Sequence, residues 1–281
     1  MKSILDKLFT WNQDAAVKAI LDVYSRQHFA IIDYLYFANI SWKTLFDKID
    51  TRYHLPDFQD ALLEEYKKKD ISQVRKAYQD AIHDADVVLP DGIALQIFYF
   101  LARRRWLSNL NGTDFAPYLL QKLTKKYWSH KVRVVLYGTY PDLLAKTKIF
   151  LEKKWYQVVY AQDGYTNLDW NSVENALPHQ EDTINVLLVA RVTPVYPLQD
   201  IRSYANKEQI KKYHLLTMNQ WGTFDRRVGK QKRPPQIIRY LRLERLRRLI
   251  SDPKRNYKKV LDSLGILKYI FCYLLLKKGS R

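Results

Sequence analysis

Six short apolar runs, separated by longer polar stretches, are the feature that most constrains how this chain can fold. The runs are "FAIIDYLYFA" (29–38), "DVVLP" (86–90), "KVRVVLYG" (131–138), "WYQVVYA" (155–161), "INVLLVA" (184–190) and "YHLLTM" (213–218). Strands that alternate with helical stretches predict a mostly parallel sheet covered by helices. Adjacent apolar residues, as in "VLLVA", are typical of strands that are buried on both faces. We therefore predict an α/β fold with a Rossmann-like, mostly parallel sheet flanked by helices.

Polar residues and glycine directly follow several of these runs. Ligands of open parallel sheets bind beyond the carboxyl ends of the strands. Asp91, Gly138, Asp163 and Arg191 each come after a strand-like run, so we expect them to line one crevice. A purely structural role is the alternative for Asp91, because Pro, Asp and Gly in the sequence Pro-Asp-Gly all favour a tight turn.

The positive charge of the chain is concentrated in its last fifth. The net charge is +18, and residues 226–281 carry +15 of it, with 18 Lys and Arg against 3 acidic residues. The change in composition near "GKQKRPPQ" (229–236) predicts a catalytic α/β domain over 1–228 and a basic helical appendage over 229–281. A basic surface confined to one segment favours a polyanionic partner such as phosphate groups, nucleic acid or an anionic membrane.

The appendage ends in an apolar run, "LGILKYIFCYLLLKK" (264–278). It is too short to span a bilayer, and its lysines favour a helix lying in the membrane interface, with burial against the main domain as the alternative. The first 27 residues carry charges throughout and lack the apolar core of a signal peptide, so we expect a cytoplasmic protein. A single Cys and six scattered His disfavour a disulfide framework or a zinc site.

Seven blocks of the sequence, in one order, resemble the WecG/TagA/CpsF glycosyltransferases. They are "ADVVLPDGIAL" (85–95), "LNGTDFAPYLL" (110–120), "VVLYGTYPDLLAKTKIFLEKKW" (134–155), "QDGY" (162–165), "PLQD" (197–200), "WGTFDRRVGKQKRPP" (221–235) and "LRLERLRRLISDPKR" (241–255). The resemblance implies an inverting enzyme at the inner face of the cytoplasmic membrane. It implies transfer of a sugar, such as N-acetylmannosamine or its uronic acid, from a UDP-sugar to an undecaprenyl-diphosphate-linked acceptor. Teichoic acid, capsule and exopolysaccharide synthesis are the pathways of such enzymes.

An inverting transfer requires a base that takes the proton of the acceptor hydroxyl and a positive or dipolar group that holds the departing diphosphate. The resemblance assigns the base to Asp91, which matches the aspartate of the family's "DG" motif. Gly92 allows the backbone to turn so that this carboxylate faces the crevice.

Eight residues are candidates for binding the donor. The stretch "NGTD" precedes a predicted helix that begins near Phe115, and we expect a cap from its Thr or Asp and backbone amides that receive a hydroxyl or phosphate oxygen. Gly138 either admits the nucleotide or belongs to an ordinary turn, and the lack of a full G-x-G-x-x-G disfavours a nicotinamide cofactor. A side-chain amide can bind sugar hydroxyls or uracil, which favours Gln199. The full set is Asn39, Asn111, Gly112, Thr113, Asp114, Gly138, Gln199 and Asp225.

Four cations match basic positions of the family and are predicted to hold the acceptor's diphosphate: Arg233, Arg248, Arg255 and Lys258. Three residues depart from the family pattern. Asn109 replaces a frequent Arg, and Arg226 and Arg245 replace aromatic residues. These departures leave an inactive scaffold as an alternative, and the high basicity leaves a nucleic-acid-binding protein as another. The residues do not determine the sugar, the acceptor linkage or whether the chain forms a homo-oligomer.

Asp84-Ala85-Asp86 spells the D-x-D motif that binds a metal ion in another class of glycosyltransferase. Those carboxylates must emerge at the carboxyl end of a strand, whereas here they precede "VVL". We therefore predict transfer that needs no metal ion and no cofactor, with the UDP-sugar as a substrate.

Overall fold

The computed structural model describes residues 5–36, 80–164, 166–177, 183–190 and 206–219. Six strands within these residues form one sheet in the order β2-β1-β6-β5-β3-β4. All described neighbours pair in parallel. The strands are β1 (Ala30–Tyr36), β2 (Val87–Asp91), β3 (Val132–Tyr137), β4 (Gln157–Gln162), β5 (Ile184–Val189) and β6 (Leu215–Asn219). The six predicted strands and the Rossmann-like parallel sheet are thereby confirmed.

Helices occupy most of the described connections. They are α1 (Gln13–Gln27), α2 (Ile93–Arg103), α3 (Gly112–Tyr127), α4 (Pro141–Glu152), α5 (Trp170–Ala176) and α6 (Lys207–Lys212), with a 3₁₀ turn at Ser129–Lys131. Local signals explain their starts. Asn12 caps α1 by accepting the Ala15 N–H at 2.9 Å, and Pro141 opens α4 at a position where a missing N–H costs nothing. Among the described helices, none is long and apolar enough to cross a membrane.

The two faces of the sheet are buried under different helices. Helices α1, α3 and α4 cover the first, here called the α1 face, where the even-numbered residues of β1, β3, β5 and β6 pack into one apolar cluster together with Val87 and Leu89 of β2. Helix α2 covers β1 and β2 on the opposite face, here called the α2 face, while α5 and α6 cover β3, β5 and β6 there. This double coverage explains why the strands read as continuous apolar runs.

The described connections change face between β3 and β5. Helix α4 follows β3 on the α1 face, whereas α6 follows β5 on the α2 face. The two strands are neighbours, with Tyr137 beside Val189 at their carboxyl ends. Such a switch point opens a crevice where ligands of parallel sheets bind.

Candidate active site

Asp91 is the last residue of β2, and only Gly92 separates this strand from α2. Gly92 has φ 86°, a conformation that glycine adopts without strain. Pro90 is accommodated because β2 lies at the edge of the described sheet. Side chains alternate along the strand, so Asp91 shares the α1 face with Val87 and Leu89. The carboxylate is partly exposed, as a base that meets a substrate must be.

The helix behind "NGTD" begins earlier than predicted. It starts at Gly112, and the cap is Asn111 rather than Thr113 or Asp114. The Asn111 side-chain oxygen accepts the Asp114 N–H at 3.0 Å, and its amide group donates to the Asp114 carboxylate at 3.1 Å. The physical reason is that a side-chain acceptor satisfies a free N–H of the first turn best from the position just before the helix.

The first turn of α3 lies directly on β1. A Cβ atom placed on Gly112 would come 3.2 Å from Cζ of Tyr34, so the missing side chain allows the close approach. Tyr34 belongs to the α1 face, and two residues further along β1 Tyr36 pairs with Asp91. The strand rise and spacing put the Cα atoms of Tyr34 and Asp91 about 8 Å apart. The structure therefore brings the predicted base and the "NGTD" stretch together.

The turn after β3 is built differently. Gly138 is buried with φ 117°, and its N–H donates to the Gln162 carbonyl at 2.9 Å. Next to it, Thr139 accepts the Gly164 N–H at 2.9 Å. Pro141 offers no N–H at the start of α4, and Asp142 places a carboxylate in its first turn. Gly138 lies at the switch point, but this helix start is poorly suited to binding a phosphate through its amides.

Asp91, Gly138 and Asp163 are spread along the carboxyl edge of the sheet rather than gathered at one point. All three lie at the carboxyl ends of strands, but β2 and β4 are the two outer strands of the described sheet. Four strand spacings separate Asp91 from Gly138, about 19 Å, and five separate it from Asp163, about 24 Å. Sequence order could not show this, because β1 and β6 insert between β2 and β5.

The described carboxyl edge is acidic. Asp91, Asp114, Asp142 and Asp163 lie within the stretches 91–92, 109–114, 138–142 and 162–164, and those stretches contain no Lys or Arg. Carboxylates accept hydrogen bonds from sugar hydroxyls but repel a diphosphate. These four stretches are therefore suited to the sugar part of a ligand, and they supply no cation for a diphosphate.

The D-x-D motif has a structural explanation. Asp86 lies just before β2 and accepts two hydrogen bonds of 2.8 Å, from the Gln27 side chain and the Ile31 N–H. Asp84 forms an ion pair with Lys207 at 3.9 Å. Both lie at the amino ends of the strands, far from Asp91. In the part of the chain that the structure describes, no three His, Cys, Asp or Glu side chains form a metal-binding group; transfer without a metal ion stays a prediction.

Several predicted residues lie outside the described residues, together with the proposed boundary at 228/229. They are the donor candidates Asn39, Gln199 and Asp225, the acceptor cations Arg233, Arg248, Arg255 and Lys258, and also Arg191, Arg226 and Arg245. Asn109 is described and accepts a hydrogen bond from the Asn111 amide at 3.2 Å.

Two residues of the site region were missed by sequence reasoning. Tyr34 forms the floor under Gly112, and the only signal for it was the alternation of β1. Gln162 holds the loop after β4: its amide donates to the Asn167 carbonyl at 2.7 Å, and its oxygen accepts the Asp169 N–H at 2.8 Å. Asp169 in turn caps α5, and hydrogen bonds from the Ser172 hydroxyl and backbone lower the pKa of its carboxyl group.

Together these features define a class: a parallel α/β protein whose carboxyl edge brings a partly exposed Asp close to a polar helix start. The match to a family is consistent with this class. The model of the Glycosyl transferase WecG/TagA/CpsF family matches residues 68–280, and the chain belongs to that family of glycosyltransferases.

Two curated relatives carry the name N-acetylglucosaminyldiphosphoundecaprenol N-acetyl-beta-D-mannosaminyltransferase. The protein from Bacillus subtilis (strain 168) is 29% identical over 212 residues, which cover 73% of this chain and 74% of the relative. The protein from Bacillus spizizenii (strain ATCC 23059 / NRRL B-14472 / W23) is 25% identical over 205 residues, covering 72% of this chain and 74% of the relative. The resemblance predicted from the seven blocks is thereby confirmed.

Proposed function

We propose that the enzyme transfers N-acetylmannosamine or a related sugar from a UDP-sugar to an undecaprenyl-diphosphate-linked acceptor, with inversion. The observation that carries this proposal is the placement of Asp91 on the same face of the sheet as the Asn111–Asp114 turn, at the ends of neighbouring strands. The names of the two relatives specify both the acceptor lipid and the sugar.

In the proposed reaction, the Asp91 carboxylate takes the proton of the acceptor hydroxyl as that oxygen attacks the anomeric carbon. The bond between this carbon and the diphosphate oxygen breaks, and UDP leaves with the electron pair. Attack from the side opposite the leaving group inverts the anomeric centre. The Asn111 amide and the Thr113 and Asp114 side chains bind the hydroxyl and acetamido groups of the donor sugar.

The nucleotide is proposed to bind towards Gly138, at the switch point between β3 and β5. The acidic stretches described above supply no cation for the diphosphates, and the candidates for this role in the basic segment 226–281 are Arg233, Arg248, Arg255 and Lys258. Gln199, Asp225 and Asn39 remain donor-site candidates. No metal ion is needed if these cations neutralise the leaving group; a loss of activity in EDTA that Mg²⁺ or Mn²⁺ restores would contradict this.

The direct test is a screen of UDP-sugars with a synthetic prenyl-diphosphate N-acetylglucosamine acceptor. We expect transfer from UDP-N-acetylmannosamine or its uronic acid, with a β-linked product by NMR. A chain that binds these donors but transfers none of them onto the lipid would instead be a scaffold member of the family.

Attachment to the inner face of the cytoplasmic membrane is the second part of the proposal. The terminal run "LGILKYIFCYLLLKK" and its lysines support it. Full-length protein should float with vesicles that contain anionic phospholipid, and a chain that ends at Asn256 should stay in solution. Equal flotation of both chains would show that the membrane is bound by residues before 257. Salt-sensitive binding to nucleic acid without any flotation would favour a nucleic-acid-binding protein.

A further inference from the structure

One carboxylate in the sheet core has no part in the mechanism above. Asp33 lies in the middle of β1 with no exposed surface, between Ile31 and Leu35 on the α2 face. Burying an ionisable side chain is costly, and an apolar residue at such a position usually serves stability better. A role beyond core packing therefore has to be sought in what Asp33 contacts.

The Asp33 carboxylate bonds to the backbone of the next residue. Its Oδ1 accepts the Tyr34 N–H at 2.7 Å. The backbone N–H and C=O of Ile31 both face Asp86 on the β2 side. In a parallel ladder the direction alternates from residue to residue, so the Tyr34 N–H points towards β6. Asp33 thus binds a donor that would otherwise continue the ladder between β1 and β6.

The pairing of β1 with its two neighbouring strands shows where this hydrogen bond lies. Among the described residues, β1 pairs with β6 from Ala30 to Ile32, whereas its pairing with β2 continues to Tyr36 beside Asp91. The hydrogen bond to Asp33 therefore lies just beyond the last described pair of β1 and β6, in the part of β1 that is paired with β2.

The Tyr34 side chain lies on the α1 face, opposite the Asp33 side chain, so the hydrogen bond to its backbone affects contacts on that face. Its ring lies under Gly112, and its hydroxyl points to the Met218 sulfur at 3.7 Å. The ring is buried in the apolar cluster of the α1 face, and its backbone and these two contacts contribute to its position. The first turn of α3, with Asn111 and Asp114, lies directly above.

We propose that Asp33 is a positioning residue: by binding the Tyr34 N–H, it fixes the tyrosine on which the sugar-binding turn of α3 lies. The expected effect on sugar transfer rests on the proposed function. The expected effect on the first turn of α3 can be measured in the protein without any substrate. It assigns a role to a buried carboxyl group that the catalytic steps do not use.

Hydrogen exchange in the free full-length protein tests the structural part. Asp33→Leu removes the acceptor, so amides in peptides covering 109–118 should exchange about tenfold faster, as expected when a buried N–H loses its acceptor. Peptides covering 141–152 should be unchanged. Asp33→Asn keeps a side-chain oxygen and should stay within about threefold of the parent. The matched control is Thr217→Val, another buried polar residue, on neighbouring β6, whose hydroxyl makes no hydrogen bond within the described structure.

Kinetics test the consequence. The KM for the UDP-sugar should rise about tenfold in Asp33→Leu while kcat changes little, and it should return towards the parent value in Asp33→Asn. If Asp33→Leu does not fold, Tyr34→Leu removes the ring under Gly112 and should give the same faster exchange. Unchanged exchange over 109–118 in Asp33→Leu or Tyr34→Leu, or equal changes over 141–152, would overturn the inference. Faster exchange in a protein that transfers no sugar would refute the proposed function alone.

Discussion

Two helices start at the carboxyl edge of the same face of the sheet, and they differ in what they leave for a ligand. At α3 the cap is a side chain, Asn111, and the turn carries partly exposed polar groups near Asp91, the proposed base. At α4 the preceding backbone is tied to β4 by Gly138 and Thr139, and Pro141 supplies no N–H. Both starts contain or follow a glycine, yet only the first presents polar side chains beside Asp91. A glycine-containing motif indicates a backbone conformation. Which of its polar groups remain accessible to a ligand depends on the hydrogen bonds that the folded chain makes there.

The largest expected effect is at the α3 end. Asp91→Asn removes the base while keeping the size of the side chain, so kcat should fall by about 10²- to 10⁴-fold with little change in melting temperature. The matched control is Asp163→Asn, an acid at the same edge of the sheet but on the far outer strand, which should transfer at the parental rate. Transfer by Asp91→Asn at the parental rate would contradict the assignment of the base.

The next effect belongs to the α4 end and concerns stability. Gly138 has φ 117°, and alanine there is strained, so Gly138→Ala should lower the free energy of unfolding by about 1–3 kcal/mol. Urea denaturation measures this. Gly112→Ala is the counterpart at α3: glycine is not required there by a positive φ, and we expect the smaller loss of stability. A larger loss for Gly112→Ala would reverse the comparison.

A matched pair of acids separates binding from helix stability. Asp114→Asn should raise the KM for the UDP-sugar about three- to tenfold, because it removes an acceptor of sugar hydroxyls. Asp142→Asn should leave this KM unchanged and cost about 0.3–1 kcal/mol of stability through the lost interaction with the α4 dipole. Steady-state kinetics with the donor varied measures the first and urea denaturation the second. Equal KM values for the two variants would show that α3 has no special part in donor binding.

The smallest effect concerns the body of α3, which is attached to α1. Asp14 accepts hydrogen bonds from Lys122 at 2.7 Å and from Tyr118, and these lower the pKa of its carboxyl group. A lowered carboxyl pKa stabilises the fold above the ordinary pKa of Asp, and this contribution is lost as the pH falls through the lowered value. The Asp14 side chain is exposed, so solvent screens the interaction and the effect is small.

Asp14→Asn should therefore be slightly less stable than the parent at pH 7, and the difference should shrink at pH 3. The control is Asp22→Asn on the same helix. Urea midpoints at the two pH values measure the effect. A difference that grows at low pH would contradict the attribution to Asp14, and a change in donor KM would show that the α3 turn depends on this distant attachment.

The sequence by itself determined the layered architecture. Buried strands between two helical layers must be apolar on both faces, and runs such as "INVLLVA" show this without any tertiary information. Asp91 at the end of β2 and the positive φ of Gly92 followed from the same local chemistry, because Pro-Asp-Gly limits the backbone to few conformations. The family could also be read from local blocks, since their order along the chain is preserved.

Tertiary structure alone decided which of these strand ends meet. Strand order is set by how six strands pack side by side, and no local residue preference records that β1 and β6 lie between β2 and β5. Hence Gly138 and Asp163 are remote from Asp91, whereas Asn111 is close to it. The same holds for Asp33 and Tyr34: alternation assigns them to opposite faces, but only the packed sheet shows that one holds the backbone of the other beneath Gly112. Local sequence limits the conformation of each segment, and the contacts between segments decide which groups share a site.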